Sequence, residues 1–175
     1  GYVNSTLTNT MSASFQALFM TVCSEVRYNE GALRALSVHA PAGTIVNALE
    51  PAPVTTCTVV AAEAIVEATW LALAQAVPER VYAGWGRWLA PSSMGVNPTT
   101  GRPFGDIPFM AKSGGGAARG FDGWDHMGTV ITAGGLRAPD PELHELVNPY
   151  SVLQYEYWPD SAGAGQWRGG RGAAD

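Results

Sequence analysis

The residue types able to do chemistry gather in two glycine-rich stretches. Residues 158–172, WPDSAGAGQWRGGRG, place Asp160, Ser161, Arg168 and Arg171 among five glycines. Glycine there means backbone in conformations a Cβ would forbid, or backbone approached closely by something else. The N–H groups of Gly163, Gly165, Gly169 and Gly170 can converge on an anion, with Arg168 and Arg171 adding forked donors. The competing reading is a tight, twisted connection in which Asp160 caps a turn and Arg168 pairs with it, and spacing alone favours it.

The second stretch, Lys112-Ser113-Gly114-Gly115-Gly116-Ala117-Ala118-Arg119-Gly120, runs into Asp122-Gly123-Trp124-Asp125-His126. It lacks the GKS or GKT ending of a P-loop and the GxGxxG of a dinucleotide fold, so neither nucleotide-binding device is present. Gly114, Gly115 and Gly116 are again candidate anion-binding backbone. Asp122, Asp125 and His126 bring oxygen and nitrogen donors into five residues. Adjacent Asp125 and His126 splay to opposite sides of an extended chain, and no second ligand pair accompanies them, so no metal site is expected. Glu142, His144 and Glu145, after a Pro139-Asp140-Pro141 turn, read as capping and surface hydrogen bonding.

These stretches need elements to hold them. Asn4, Ser5, Thr6 and their neighbours offer N-caps for a helix from Ser12 in which Phe15, Leu18, Phe19 and Val22 share one face. Gly31 reads as a left-handed stop after it. Alternation over Leu36, Val38 and Ala40 predicts a short strand before a Pro41-Ala42-Gly43 turn. Residues 48–55 form a connector around Pro51 and Pro53. A long helix follows on Val66, Trp70, Leu73 and Val77, ended by Pro78, with Glu63 and Glu67 on its solvated or partner-facing surface.

Beyond Glu79 the character changes, since most of the 21 glycines lie from Gly101 onward. Tyr82, Trp85 and Trp88 suggest an aromatic cluster. Asn97-Pro98-Thr99-Thr100-Gly101 is a turn, residues 104–110 a strand interrupted by Pro108, and alternation over 150–158 a half-buried strand. The fold class expected is α+β, with early amphipathic helices packed on short strands and a glycine-rich β/loop second half, all 175 residues forming one segment (1–79 and 80–175).

Charged residues make up 14% and apolar ones 46%, below the usual charged share of about 25%. That deficit suggests a surface covered by other protein. A net charge of −5 with scattered basic groups excludes a nucleic-acid stripe or polybasic membrane patch. The longest apolar run carries Glu63, Glu67 and Gln75, so it is a core helix and not a span. Cys23 and Cys57 lack CxxC spacing and read as buried thiols in helical stretches. With no signal segment, the cytoplasm is the default location.

An ordered series of segments resembles the hydantoinase B/oxoprolinase family, the B-type subunits of ATP-dependent cyclic amide hydrolases and related ketone carboxylases. The series runs through Gly1-Tyr2-Val3-Asn4-Ser5, Val26-Arg27-Tyr28-Asn29-Glu30-Gly31, Ala40-Pro41-Ala42-Gly43-Thr44 with Asn47, and Pro51-Ala52-Pro53-Val54. It continues through Ala74 to Pro78, Thr100-Gly101-Arg102-Pro103-Phe104, Gly114-Gly116-Ala117-Arg119 with Asp122-Gly123, Pro141-Glu142 with Glu145, and Pro159-Asp160-Ser161 to Gly172. The chain departs from the family pattern at Ala162 and Pro53, and His126 falls in a variable part of it.

The resemblance implies a central-to-C-terminal portion of a longer subunit, whose N-terminal part carries a divalent metal site. It also implies an A-type subunit that binds ATP and phosphorylates a cyclic amide, after which the B-type subunit delivers water. A hetero-oligomer is therefore expected, with ATP and metal held mainly outside this chain. The alternatives are a ketone carboxylase segment and a non-catalytic assembly module. Arg119, Asp122, Asp160, Ser161 and Arg168 are the candidate site-shaping residues, and the isolated chain is expected to be inactive.

Overall fold

A computed structural model describes residues 3–87 and 91–174. The fold is mixed α+β, with helices early and short strands late. Thr6 caps α1 (Leu7–Phe19) by accepting the Asn9 N–H at 3.2 Å. The helix starts earlier than its large apolar residues suggest. Its deepest stripe is built from small and polar residues, Thr10, Ala13 and Ala17, together with Phe15. That stripe is small because α3 (Ala62–Leu73) lies against it and presents Val66 and Trp70, both essentially inaccessible.

Ala13, Ala17, Ala62, Val66, Trp70, Val81 and Val130 form the core, with Tyr82 and Trp85 packed against it. A five-residue π-helical turn, Cys57–Ala61, leads into α3, and the main helix ends at Leu73, before Pro78 opens a short 3₁₀ turn. Glu63 is buried within this chain, at 3% exposure, which corrects the expectation of a solvated or partner-facing surface there. It sits on the same side of α3 as Val66 and Trp70, the side that α1 covers.

Hydrogen bonds to polar residues join the first segments. Ser5 N–H donates to Ile45 O at 2.7 Å, Thr10 Oγ1 to Val46 O at 2.6 Å, and Asn9 Nδ2 to Cys57 O at 2.9 Å. Gln16 Nε2 reaches the Val130 and Ile131 carbonyls at 2.8 and 2.9 Å, fastening the second half to α1.

Several local expectations give way. Gly31 lies inside a four-residue helix α2 (Glu30–Leu33), capped by Asn29, so it is no left-handed stop. Residues 36–40 are coil, because no neighbouring segment supplies a ladder. Cys23 and Cys57 are free thiols only half-buried, Cys23 in the turns after α1. Trp88 lies outside the described residues.

In the second half β1 (Ser93–Val96) and β2 (Pro103–Asp106) form an antiparallel hairpin, with Ser93 opposite Asp106 and Gly95 opposite Phe104. Its turn is the expected one. Asn97 Oδ1 accepts from Thr99 and Thr100 N–H, and Gly101 takes φ +68°. Asp140 caps α4 (Pro141–Val147). The strand expected over 150–158 shrinks to β3 (Glu156–Tyr157), which pairs with β4 (Ala173–Ala174). Among the described residues no helix is long and apolar enough to cross a membrane.

Candidate functional site

The two glycine-rich stretches lie side by side. Residues 113–118 form a central ribbon. On one side Gly86 N–H donates to Gly114 O at 3.0 Å and Ala83 N–H to Ala117 O at 2.8 Å. On the other, Gly115 N–H donates to Trp124 O at 2.8 Å and Gly170 N–H to Gly115 O at 2.9 Å. Such contact requires glycine: a Cβ on Gly114 would sit 1.9 Å from Gly170 O, and one on Gly116 1.8 Å from Gly84 O.

Asp122 and Asp125 hold the loops in register. Asp122 Oδ1 accepts the Arg168 N–H at 2.7 Å, and Gly123 N–H donates to Arg168 O at 2.7 Å. Asp125 Oδ1 accepts the Arg171 N–H at 2.6 Å, while Oδ2 takes Nε and Nη2 of the same arginine at 3.0 and 2.7 Å. These bonds hold the Asp125 carboxyl below the usual carboxylate range and push the Arg171 guanidinium up. Arg171 also stacks over Tyr157, 4.7 Å from the ring centre. The Arg168 guanidinium lies 3.7 Å from Asp125, so Arg168 pairs there and not with Asp160.

Two cavities of about 680 and 740 Å³ flank the ribbon and share Glu67, Ala83, Gly84, Ala117 and Trp167. Arg119 lines the first with Tyr82 and Gln166, and Ser161 lines the second with Trp85 and Trp158. Ser161 Oγ donates to Trp158 O at 2.8 Å and accepts the Gly172 N–H at 3.1 Å. Asp122, Asp160 and Arg168 line neither cavity. Asp160 is exposed, with a left-handed φ of +56°.

Gly114, Gly115, Gly116, Gly163, Gly169 and Gly170 all line the larger cavity, whereas Gly165 does not. The N–H groups of Gly115, Gly169 and Gly170 donate to the carbonyls of Trp124, Gly163 and Gly115. Those three are therefore closed to an anion. Gly114 and Gly163 carry N–H groups that bond no other described residue.

Among the described residues no three His, Cys, Asp or Glu side chains come together in a way that could hold a metal. Asp125 is committed to Arg171, and His126 Nε2 meets the Tyr155 hydroxyl at 2.9 Å. These donors do not fit a metal centre.

Glu67 went unread as a cleft residue. Its Oε1 accepts the Trp85 N–H at 3.1 Å, its Oε2 pairs with Arg87, and it borders both cavities. Its place four residues after Glu63 was visible, but the direction of that face depended on where α1 lay. Lys112 was also missed. It is buried, its ammonium donates to Leu136 O, and burial pushes its pKa down.

The chain belongs to the hydantoinase B/oxoprolinase family, whose model matches residues 1–175. It is 38% identical over 174 residues to the caprolactamase subunit beta of Pseudomonas jessenii, which covers 98% of this chain and 30% of that relative. The crystal structure of ATP-dependent caprolactamase from the same organism matches with a TM-score of 0.85 at 36% identity, over 98% of this chain and 30% of its own. A nucleotide-free acetone carboxylase structure shares the fold, with a TM-score of 0.75 at 20% identity, over 98% of this chain and 23% of its own. The chain spans less than a third of the length of these relatives.

Proposed function

We propose that the chain is a portion of the B-type subunit of an ATP-dependent cyclic amide hydrolase, and that the cleft beside the central ribbon forms a wall of the substrate site. The observation that carries this reading is the 38% identity to a caprolactamase subunit over nearly the whole chain. The cavities, each within the roughly 300–1,000 Å³ range of small-molecule sites, support it. Their tryptophan and tyrosine walls suit a small ring, and its polar edge is suited by Arg119 in the first cavity or, in the second, by the Gly114 and Gly163 N–H groups with Ser161 Oγ as an acceptor. Asp122, Arg168, Asp125 and Arg171 act one layer behind, fixing the loops that carry those groups.

In this reading an A-type partner binds ATP and other parts of the enzyme hold the divalent metal. No chemical step is routed through either. The contribution of this chain is to position and to exclude water, so that charge developing on an activated amide meets fixed donors.

The test is reconstitution of the complete two-subunit enzyme containing these residues, with ATP consumption measured against caprolactam, hydantoin and 5-oxoproline, and against acetone plus bicarbonate. Consumption that requires a cyclic amide is expected, with Arg119→Ala lowering kcat/KM about tenfold, the loss of one charged hydrogen bond. Consumption that requires acetone and bicarbonate instead would move the chain to the carboxylases. Turnover and assembly both unchanged in Arg119→Ala and Arg168→Ala would remove the cleft from the site.

A further inference from the structure

Helix α4 is turned the wrong way for a finished surface. His144 faces inward, its ring stacked on Tyr150 at 5.3 Å and its Nε2 3.4 Å from Asp106 Oδ2. Leu143, Leu146 and Val147, at i, i+3 and i+4, form the helix's apolar stripe and are 61%, 81% and 73% exposed. A surface helix ordinarily buries that stripe. Leu153, just beyond, is 94% exposed.

A groove of about 320 Å³ opens beside Leu153, which lines it with Pro108, Met110, His144, Tyr150 and Val152 among others. The Tyr150 hydroxyl is buried and has no hydrogen-bond partner. That hydroxyl is shut in by this chain itself, so what the exposed stripe asks of a neighbour is apolar side chains.

We propose that the outward stripe of α4, Leu153 and the groove beside Leu153 seat an apolar segment from the part of a family-length subunit outside these 175 residues. The occupant follows from length: the matched caprolactamase chain devotes only 30% of itself to this fold, so most of it is left to cover the remaining faces. The inference rests on the chain being one portion of a longer subunit. It does not depend on which reaction the cleft serves.

The experiment compares amide hydrogen exchange over residues 141–153 in the 175-residue chain and in the P. jessenii caprolactamase subunit beta carrying residues 1–175 in place of its matching stretch. Exchange in the long subunit is expected to be at least about tenfold slower. Leu143→Asp with Leu146→Asp should abolish that protection while leaving the melting of the short chain unchanged, since both side chains are already exposed there. If the chimera does not fold, the same exchange is measured on the short chain mixed with the separately expressed remainder of the relative. Equal exchange in the short and long contexts would overturn the proposal. So would a dimer of the short chain that Leu146→Asp dissociates, which would make a second copy the occupant. Loss of cyclic amide turnover with protection intact would count against the reaction alone.

Discussion

The indole Nε1 of Trp70 donates to the main-chain carbonyl of Ala17 at 3.0 Å, joining α3 to α1 where both residues are buried. The same ring lies 5.2 Å from Tyr82 and 6.1 Å from Trp85, so a single side chain couples the helical pair to the cleft wall. Trp70→Phe keeps an aromatic surface but removes this bond, leaving the Ala17 carbonyl with only the Thr21 hydroxyl at 2.7 Å, and it opens a gap. A loss of about 2–3 kcal/mol in urea denaturation is expected, and about 3–5 kcal/mol for Trp70→Ala.

The central ribbon makes a sharper demand. A Cβ at position 114 would meet Gly170 backbone at 1.9 Å, and backbone cannot rotate away as a side chain can. Gly114→Ala should cost about 3 kcal/mol, the upper end for overpacking, and separate the two loops. Gly105→Ala, with nothing within 4 Å of the new methyl, should change the melting temperature little. Near-ultraviolet circular dichroism of the tryptophans reports whether the cleft survives in each.

What the sequence made legible follows from where the forces act. The α3 helix was readable because Val66 and Trp70 repeat at helical spacing, a local signal that tertiary contacts then reinforced. The α1 stripe was misjudged because its buried residues are small, and their burial reflects the bulk of Trp70 opposite. Alternation over Leu36, Val38 and Ala40 and over residues 150–158 predicted strands, but alternation describes one chain whereas a ladder needs two. Only Glu156 and Tyr157 found a partner, in Ala173 and Ala174. In the cleft, the glycines correctly signalled close backbone approach. The pairing of Asp125 with Arg171 across 46 residues carries no local signature, and neither does the choice of Asp125 over Asp160 as the partner of Arg168.

The Asp125–Arg171 pair also sets an acid limit. The carboxyl titrates lower in the folded chain than in the unfolded one, where a value near 3.9 applies. Stability from this group is therefore fully present above about pH 4 and is lost as pH falls through the depressed folded value. Asp125→Asn should flatten that part of the stability–pH curve in thermal melts between roughly pH 5 and 2. At neutral pH its effect should be modest, because both partners reach solvent and water screens the pair. A curve unchanged by the substitution would mean that other carboxylates govern acid unfolding.

Glu67 offers a way to loosen the cleft without touching its lining loops. The carboxylate takes the Trp85 N–H with one oxygen and Arg87 with the other, and so ties the 83–87 edge of the ribbon to α3. Glu67→Gln retains an acceptor for the Trp85 N–H and loses only the ionic partner on the solvent side, so its cost should stay below about 1 kcal/mol. Glu67→Ala removes both and leaves a half-buried backbone donor unmatched, for an expected loss of about 1–3 kcal/mol. The indole of Trp85 donates to Gly128 O at 2.9 Å, so its ring remains held from the far side while its backbone is released. Tryptophan fluorescence should therefore shift less than the denaturation midpoint. If Glu67→Ala instead melted like the parent chain while Glu67→Gln did not, the Trp85 N–H bond would not be what joins the helix to the cleft.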